Sequence, residues 1–366
     1  MKNYYAIALA TFLIGSSCSE EIAQEKADPI VFSFAFTGCN RVGFDVHQSS
    51  NPSTANHVAL DSIVLDMINQ EITPDLFFNL GDIVRAEQTD TIDLATQLNA
   101  WVGLETVKKL DSSGIKMVAV PGNHELLQSV EGPPKVYHEY PLEYSTDVFL
   151  EYMQDHLPKG RDTAPNALNL DNRLTFSFIK DSIGFVVINT DTYNPPATGK
   201  TYGEEGKFPI NWINQKIVAL NKDPGVKHVF ALGHRPYFVN GQVPAGNHDG
   251  LPNAKSFWDT MSANNVVAYL AAHKHDYQRY QPNNAKTTQV TAGNAGSPNG
   301  AASFFGYSLI NIYKSGKIQL ISRGYCVPND YLKPNLASRM KVRDSTFLKW
   351  TGNSNPISPY SVPCND

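Results

Sequence analysis

Five short segments constrain this chain more than any other feature of its sequence, because each carries chemically active side chains and follows a short apolar run. Short apolar runs bounded by turn residues are typical of buried β-strands. The segments therefore lie where strands end and loops begin, which is the edge at which open α/β sheets bind their ligands. In chain order they are Gly38–Asn40, Gly81–Asp82, Gly122–Glu125, Gly233–Pro236 and His273–His275.

The aspartate and asparagine among these segments predict the lining of a hydrolytic site with two metal ions. Two metals about 3.5–4 Å apart need one carboxylate that bridges them, and Asp82 is a short acid at a predicted strand end. Taken alone, Asp82 is more typical of a turn or helix cap. The amide oxygen of Asn123 can ligate a metal without adding charge, and the adjacent His124 is better placed to meet a substrate. Gly-Asn-His-Glu directly after a Val-Ala-Val strand favours a functional site over a solvated turn.

Three further histidines are candidate metal ligands. His273 and His275 are two residues apart on an extended segment, so their side chains point the same way, and this spacing after a buried strand favours metal binding over core packing. His234 follows another predicted strand, where a metal ligand and a satisfied core histidine are equally plausible. Each ligating imidazole also needs an acceptor for its second nitrogen, and the sequence does not identify one.

Four cysteines divide into three groups. Cys18 belongs to the amino-terminal signal, and Cys326 and Cys364 could pair with each other if the protein is exported. That leaves Cys39 unpaired, where sites of this kind usually have a carboxylate. A lone exported thiol is best explained as a metal ligand or as a buried small hydrophobe.

The amino terminus is predicted to be a lipoprotein-type signal peptide over residues 1–18. Lys2 provides the positive start, Tyr4–Ile14 is apolar but too short to span a membrane, and small residues precede Cys18. We expect Cys18 to be lipidated and residues 19–28 to be a polar tether, so that the protein is exported and held at the bacterial cell envelope by acyl chains. Plain secretion is the alternative.

Composition favours one large folded domain in this chain of 366 residues, with 42% hydrophobic and 18% charged residues. The net charge of −5 without a basic tract makes nucleic acid an unlikely backbone-bound partner. The pattern begins β-α-β-α-β and then changes to two hairpins, which predicts an α/β (α+β) fold with a pair of mixed sheets flanked by helices. We expect one domain over residues 29–325 and a surface-wrapping tail over 326–366. Predicted strands are Val31–Phe36, Asp75–Leu80, Lys116–Pro121, Gly184–Ile188, His228–Leu232 and Val266–Ala271, with hairpins of Leu174–Ile179 with Ile183–Asn189 and of Phe304–Tyr313 with Lys317–Ser322; predicted helices include Ile92–Leu110 as one element and one capped by Ser145 that runs to Leu157.

The ordered set of motifs resembles the calcineurin-like metallophosphoesterases across residues 31–313. Its flanks, His234–Tyr237, His273–Arg279 and Val290–Gly296, look like the purple acid phosphatase branch. The resemblance implies a four-layer α/β/β/α sandwich with the metals at one edge. It also implies that Asp82 bridges both metals, that Asn123, His234 and His273 bind one metal and His275 the other, and that His124 stabilises phosphoryl oxygens or protonates the leaving group.

Two departures from that branch change the expectation for the second metal. Arg85 stands where the purple enzymes have a tyrosine. Cys39 stands where the first motif normally has aspartate, although phosphatases of the PhoD type place a cysteine there as an iron ligand. A thiolate favours iron or zinc over calcium or magnesium, and manganese is the third candidate. Arg41 stands where many relatives have a histidine ligand and could clamp a phosphate oxygen, while Asp45 is a substitute ligand if Cys39 faces away.

The sequence therefore predicts a metal-dependent phosphoric ester hydrolase, acid phosphatase-like and acting on monoesters, in which a metal-bound hydroxide attacks phosphorus. The alternatives are a phosphodiesterase or nucleotidase on the same fold, or a catalytically impaired surface lipoprotein that binds rather than hydrolyses.

Overall fold

The computed structural model describes residues 28–43, 50–86, 91–132, 136–167, 170–194, 204–246, 249–251, 253–282, 285–298, 302–333, 339–348 and 364. Its strands are β1 (Ile30–Thr37), β2 (Leu76–Leu80), β3 (Lys116–Val120), β4 (Leu127–Gly132), β5 (Val136–Pro141), β6 (Asp162–Thr163), β7 (Phe176–Lys180), β8 (Ile183–Ile188), β9 (Tyr193–Asn194), β10 (Glu204–Glu205), β11 (His228–Gly233), β12 (Ala268–Ala271), β13 (Tyr277–Tyr280), β14 (Thr288–Ala292), β15 (Phe304–Tyr313), β16 (Ile318–Cys326) and β17 (Lys341–Phe347). Its helices are α1 (His57–Ile68), α2 (Thr91–Val102), α3 (Glu105–Ser112), α4 (Asn123–Leu126), α5 (Ser145–Met153), α6 (Ile210–Lys222) and α7 (Lys255–Ala263).

Two mixed sheets form the centre of the molecule. The first has the strand order β17-β16-β15-β1-β2-β3, and the second has the order β13-β14-β12-β11-β8-β7-β6. In the first sheet β1, β2 and β3 are parallel, and in the second β8, β11, β12 and β14 are parallel. Because parallel strands buried on both faces read as continuous apolar runs, the sequence pattern identified all of them except β14. The predicted α/β architecture is confirmed.

A cluster of phenylalanines joins the two sheets. Phe34 of β1 meets Phe185 of β8 and Phe230 of β11 edge-on, with ring centroids 5.3 and 5.0 Å apart. Phe78 of β2 also packs on Phe185, at 5.0 Å. All four rings are fully buried, and burial of a ring this size contributes roughly 1.5–3 kcal/mol. This contact fixes the two sheets relative to each other, and so fixes the strand ends that form one edge.

Helices cover the outer faces of both sheets. Helices α1 and α3 contact the first sheet, and α6 contacts the second sheet and packs on α7. The predicted hairpins are also present: β7 turns into β8 through Asp181 and Ser182, whose φ angles of 48° and 68° are typical of a two-residue turn with both central residues left-handed.

Two helix predictions were wrong in detail. The segment predicted as one helix over Ile92–Leu110 is two helices. The first helix ends before Gly103, and the second begins after Leu104, which has the extended backbone of an N-cap. Glycine weakens a helix interior. Ser145 is the first residue of α5 rather than its cap, and its hydroxyl donates to the carbonyl of Leu126 at 3.1 Å.

The carboxyl-terminal region contributes to the first sheet. Strand β17 pairs antiparallel with β16, although a surface-wrapping tail was expected over 326–366. Asp344 of β17 accepts hydrogen bonds from Tyr277 (2.7 Å) and Arg279 (2.6 Å) of the other sheet. Cys326 and Cys364 form a disulfide. The short polar strand β17 has no continuous apolar run, so its pairing left no sequence signal.

Several predictions lie outside the described residues. They are the signal peptide over 1–18 with Cys18, all of the tether over 19–28 except Asp28, and Asp45. Within the described ranges, no helix has the length and apolar character needed to cross a membrane.

Candidate metal centre

Strand ends from both sheets meet at one edge and bring the predicted residues together there. Cys39 follows β1, Asp82 follows β2 and His273 follows β12. All three residues have left-handed backbone, with φ angles of 61°, 53° and 62°. A non-glycine residue in this region costs about 1–3 kcal/mol and persists only where the surroundings enforce it. Three of the candidate ligands therefore have strained backbone.

Four donor atoms converge in one half of the site, which we call the amide half. Nε2 of His234 lies 3.1 Å from Oδ1 of Asn123 and 3.2 Å from Oδ1 of Asp82. Nδ1 of His273 lies 3.2 Å from Oδ1 of Asn123 and 3.2 Å from Nε2 of His234. Asp82, Asn123 and His234 are all buried. The four residues are those predicted to bind or bridge the first metal.

Backbone carbonyls set the orientation of three imidazoles. In each ring, Nδ1 points at a carbonyl oxygen within hydrogen-bond distance, so Nδ1 carries the proton and Nε2 keeps a lone pair when the ring is neutral. The acceptors are Leu80 O for His234 (2.7 Å), Pro298 O for His275 (2.6 Å) and Arg85 O for His124 (2.7 Å). These are the acceptors that the sequence left unidentified.

The donor set of the amide half fits a cation. When His234 is neutral and its Nδ1 donates to Leu80, the Nε2 lone pair faces oxygens of Asp82 and Asn123 that are also acceptors. Buried acceptors that face one another need a shared positive partner. A metal with nitrogen and oxygen ligands satisfies all of them, and imidazole suits zinc and iron.

Electrostatics at His234 lead to the same conclusion. Burial alone would lower the pKa of this imidazole, but the negative charges of Asp82 and Asp191 outweigh burial and raise the pKa to about 9. Burial disfavours the charged carboxylate of Asp82, yet His234, His124 and Arg41 together hold its pKa well below the usual range. The amide half therefore attracts positive charge.

Cys39 and His275 are the residues predicted to bind the second metal, and we call them, together with Arg41 and the shared Asp82, the thiolate half. One potential ligand atom each of Cys39, Asp82 and His234 lies within 4.8 Å of the other two. Nε of Arg41 lies 3.8 Å from Oδ2 of Asp82, is buried, and makes no hydrogen bond. The predicted catalytic or clamping arginine thus points a buried cationic donor into the site.

The ionisable groups of the thiolate half are poised differently. Burial raises the pKa of the Cys39 thiol well above its usual value, with a further contribution from the charge of Asp82, while Arg41 acts in the opposite direction. Burial also lowers the pKa of His275 to about 4, and Arg41 contributes in the same direction. His275 is therefore a neutral imidazole at pH 7, ready to ligate, whereas Cys39 must lose a proton to do so.

Glu125 is the functional residue that sequence reasoning missed. Its fully buried carboxylate accepts from the backbone N–H groups of Asp82 (3.0 Å), Val84 (3.0 Å) and Gly122 (2.7 Å). Glu125 thereby holds the left-handed turn at Asp82. Burial raises the pKa of Glu125 to about 7, and the charge of Asp82 adds to this effect. Its position in the Gly-Asn-His-Glu motif was a usable signal, because an acid three residues after a helix N-cap can bond back to the backbone.

Gly122 permits the close approach of these two turns. A Cβ atom at this position would collide with Oδ1 of Asp82 and would lie 2.9 Å from Cε1 of His234. A side chain here would therefore displace the bridging carboxylate or a histidine.

His124 and Arg85 form a second contact across the site. Nε2 of His124 lies 3.9 Å from Oδ2 of Asp82, on the same oxygen as Arg41. The half-buried Arg85 accepts from His124 through its carbonyl and donates from its guanidinium to Gly43 O at 3.4 Å. Where the purple acid phosphatases have a tyrosine, this chain therefore has a guanidinium that contacts the backbone. Ligation by the predicted residues stays a prediction; the structure brings their side chains to one edge.

Comparison with known proteins bears on the fold and the family. No curated protein matches the sequence. The structure is similar to purple acid phosphatase PPD1 from yellow lupin (Lupinus luteus) seeds, with a TM-score of 0.56 and 15% identity over 87% of this chain, which spans 53% of the length of the lupin enzyme. It is also similar to PhoD, with a TM-score of 0.58 and 13% identity, covering 92% of this chain and 73% of that one. At these identities the likeness shows the fold alone.

The family profile described as calcineurin-like phosphoesterase matches residues 45–277, which contain the Asp82, Asn123, His234 and His273 motifs. Members of this family normally bind two metal ions. Since the match covers well over half of the sequence, the chain belongs to the calcineurin-like phosphoesterase family.

Proposed function

We propose that this protein is an exported, metal-dependent hydrolase of phosphoric monoesters. The observation that carries the proposal is the convergence of four potential ligand atoms, from Asp82, Asn123, His234 and His273, at separations of 3.1–3.2 Å beside the Nε of Arg41, which makes no hydrogen bond. These ligand atoms suit one cation, and the buried guanidinium suits an anion next to it.

Each half of the site would hold one of two metal ions. Asn123, His234 and His273 would hold one metal, Cys39 and His275 the other, with Asp82 between them. When bound, the metals would activate a water molecule and polarise the phosphoryl oxygens. The donor set of imidazole, thiolate and carboxylate favours iron, zinc or manganese.

His124 is the candidate acid for the leaving group. Donation from its Nδ1 to Arg85 O leaves Nε2 directed towards Asp82 Oδ2, inside the site. In the imidazolium form, the proton at Nε2 can pass to the departing ester oxygen or can bond a phosphoryl oxygen, while Nδ1 keeps its own proton. Such a group typically contributes about 10²–10⁴-fold to the rate.

Arg41 supports a monoester as the substrate. A monoester carries up to two negative charges near neutral pH, and a buried cation with an unused N–H gains more from a dianion than from the monoanion of a diester. Substitution of Arg41 by Gln should therefore reduce kcat/KM for p-nitrophenyl phosphate by about 10–100-fold, the value of a charge-assisted hydrogen bond, and affect bis-p-nitrophenyl phosphate less. An equal loss for both substrates would favour a diesterase.

Metal content and turnover, measured together on the full chain, test the proposal. We expect about two tightly bound metals per chain and hydrolysis of the monoester. The variant H234N should lose a metal and turnover, whereas H228N, at the other end of β11, is the matched control and should lose neither. Fewer than about one metal per chain without turnover would overturn the proposal.

One observation favours a second function, that of a binding protein with an impaired site. The guanidinium of Arg41 lies 3.8 Å from Asp82 and so places a positive charge in the half where the second metal would bind. If the chain binds phosphate esters with one metal or none and does not turn them over, this second function is the correct one.

Export and lipid attachment through Cys18 complete the proposal. The signal-like sequence of residues 1–18 supports it, and so does the disulfide between Cys326 and Cys364, because disulfides persist in oxidising compartments. Expression in a bacterial host with labelled fatty acid should label the wild-type chain and not C18S. Recovery of unlabelled wild-type protein outside the membrane fraction would indicate plain secretion.

A further inference from the structure

Three segments that are far apart in sequence surround the thiolate half. We call residues 38–43 the first-motif loop, residues 294–298 the Asn-Pro loop, and residues 327–333 the carboxyl-terminal strap. The backbone N–H of Ser297 donates to Cys39 O at 2.9 Å, and Pro298 O accepts from His275 at 2.6 Å. The Asn-Pro loop therefore contacts both candidate ligands that are particular to this half.

All three segments meet at one residue, Asn56, which is fully buried. Its Nδ2 donates to Gly296 O of the Asn-Pro loop at 2.8 Å and to Tyr331 O of the strap at 3.0 Å. Its backbone N–H donates to Asn40 O of the first-motif loop at 2.8 Å. Its Oδ1 accepts from Ala59 N at 3.1 Å and so caps helix α1. Both amide hydrogens and the amide oxygen are thus used.

Other contacts tighten the same junction. Asn40 donates from its side chain to Ala295 O at 2.7 Å, and the hydroxyl of Tyr331 accepts from Gly43 N at 3.0 Å. Gly296 lies so close to the first turn of α1 that a Cβ atom there would be 2.6 Å from Cβ of Ala59. The helix, both loops and the strap therefore form one packed unit next to Cys39.

This junction explains how Cys39 keeps its strained backbone. A non-glycine residue with a φ of 61° needs neighbours that enforce it. Gly81 O accepts from Cys39 N at 2.9 Å, and Ser297 N donates to Cys39 O. The second of these bonds depends on the Asn-Pro loop, which Asn56 fixes to the helix. In the amide half, the carbonyl that orients His234 comes instead from Leu80, the last residue of strand β2 and close to Asp82.

We propose that Asn56 is the positioning residue of the thiolate half: its two amide donors lock the Asn-Pro loop and the carboxyl-terminal strap onto the first-motif loop, so that Cys39 and His275 face Asp82. The inference rests on the proposed function, since it assigns Asn56 to a metal site that the proposal predicts. Partners one shell outside the ligands typically contribute about 10–100-fold to metal affinity.

The variant N56S separates this role from helix capping. Serine is a preferred N-cap residue, so α1 keeps its cap, while the two donors to Gly296 and Tyr331 are lost. N69S is the matched control, because Asn69 caps the other end of α1 and its exposed side chain donates to Leu65 O. Thermal unfolding of each variant checks that the fold is retained.

Cobalt titration of the full chain tests the inference, since a thiolate bound to Co²⁺ gives a near-ultraviolet charge-transfer band. We expect N56S to bind the thiolate-half Co²⁺ about 10–100-fold more weakly than wild type, with loss of that band and no change in the other Co²⁺. In the metal-free chain, the amide hydrogens of Ser297 and Gly43 should exchange faster in N56S than in N69S.

The outcomes distinguish the inference from the function. A wild-type chain that gives no thiolate band and binds fewer than two cobalt ions contradicts the proposed site itself. A wild-type chain that gives the band, together with an N56S variant of equal affinity, equal band and equal exchange, overturns only the role of Asn56. The variant N56D keeps the size of the side chain and the oxygen that caps α1, but it places a carboxylate oxygen against the carbonyls of Gly296 and Tyr331. It should lose affinity for the thiolate-half Co²⁺ as N56S does. If N56S does not fold, the Co²⁺ affinity of N56D decides whether Asn56 positions this half.

Discussion

The two halves of the site are built in different ways. In the amide half, the donor atoms of Asn123, His234 and His273 already lie 3.1–3.2 Å apart, and the carbonyl that orients His234 comes from the strand end next to Asp82. In the thiolate half, Cys39 and His275 are held through the Asn-Pro loop, about 20 to 260 residues away along the chain. Both halves depend on contacts between segments that are distant in sequence, but strand ends of the two sheets supply those of the amide half, whereas the thiolate half also needs the Asn-Pro loop.

The histidines of the two halves also differ in their pKa values. The net charge around His234 raises its pKa to about 9, whereas burial and Arg41 lower the pKa of His275 to about 4. The amide half collects positive charge, and the thiolate half already contains the cation Arg41. Metal binding should therefore be more robust in the amide half.

Loss of the Asp82 carboxylate should affect metal binding in both halves, because this carboxylate is shared between them. We expect D82N to lose metal from both and to lower kcat/KM by at least about 10²–10³-fold, the value of a preorganised group in a site that excludes water. Metal analysis and monoester turnover measure this. D259N, at a surface ion pair on α7, is the control, and retention of both metals by D82N would show that the carboxylate does not bridge.

Loss of the Glu125 charge should weaken both halves less severely. The variant E125Q places an amide NH₂ where the carboxylate accepts from Asp82, Val84 and Gly122, so at least one backbone N–H is left facing a donor. We expect both metal affinities to fall by about 10–100-fold. Titration with Zn²⁺ against a competing chelator gives the affinities, with E105Q on the exposed surface of α3 as the control. An effect confined to one half would mean that the turn at Asp82 is held by other contacts.

The pH dependence of metal binding should come from a different group in each half: the His234 imidazole in the amide half and the Cys39 thiol in the thiolate half. His234 binds a proton in the metal-free chain below its pKa of about 9, and a metal must displace it. The affinity of the amide half should therefore rise as pH rises, by about tenfold per pH unit for one displaced proton, and level off above pH 9. His275, with a pKa of about 4, should release no proton between pH 6 and 8. An amide-half affinity that stays constant from pH 6 to 8 would contradict the protonated state of His234.

The same contrast explains what the sequence could predict. Candidate ligands at strand ends were identifiable because a continuous apolar run and the residues after it are adjacent in the chain. The donors of Asn56, the carbonyl of Pro298 and the pairing of β17 left no such signal, since each depends on a partner distant in sequence. Gly103 broke a predicted helix whose apolar pattern continued past it. The left-handed backbone of Cys39, Asp82 and His273 was not predicted either, because non-glycine residues adopt that conformation only occasionally.

The central claim is that the Cys39 thiolate is a metal ligand, and metal content of wild type, C39S and C39D tests it most directly. Serine is a poor ligand for the softer metals, whereas aspartate restores a charged donor at the same position. We predict that wild type and C39D each bind two metals per chain, and that C39S binds one, retained by Asn123, His234 and His273. Equal metal content in all three proteins would contradict the account, because Cys39 would then serve only to pack the core.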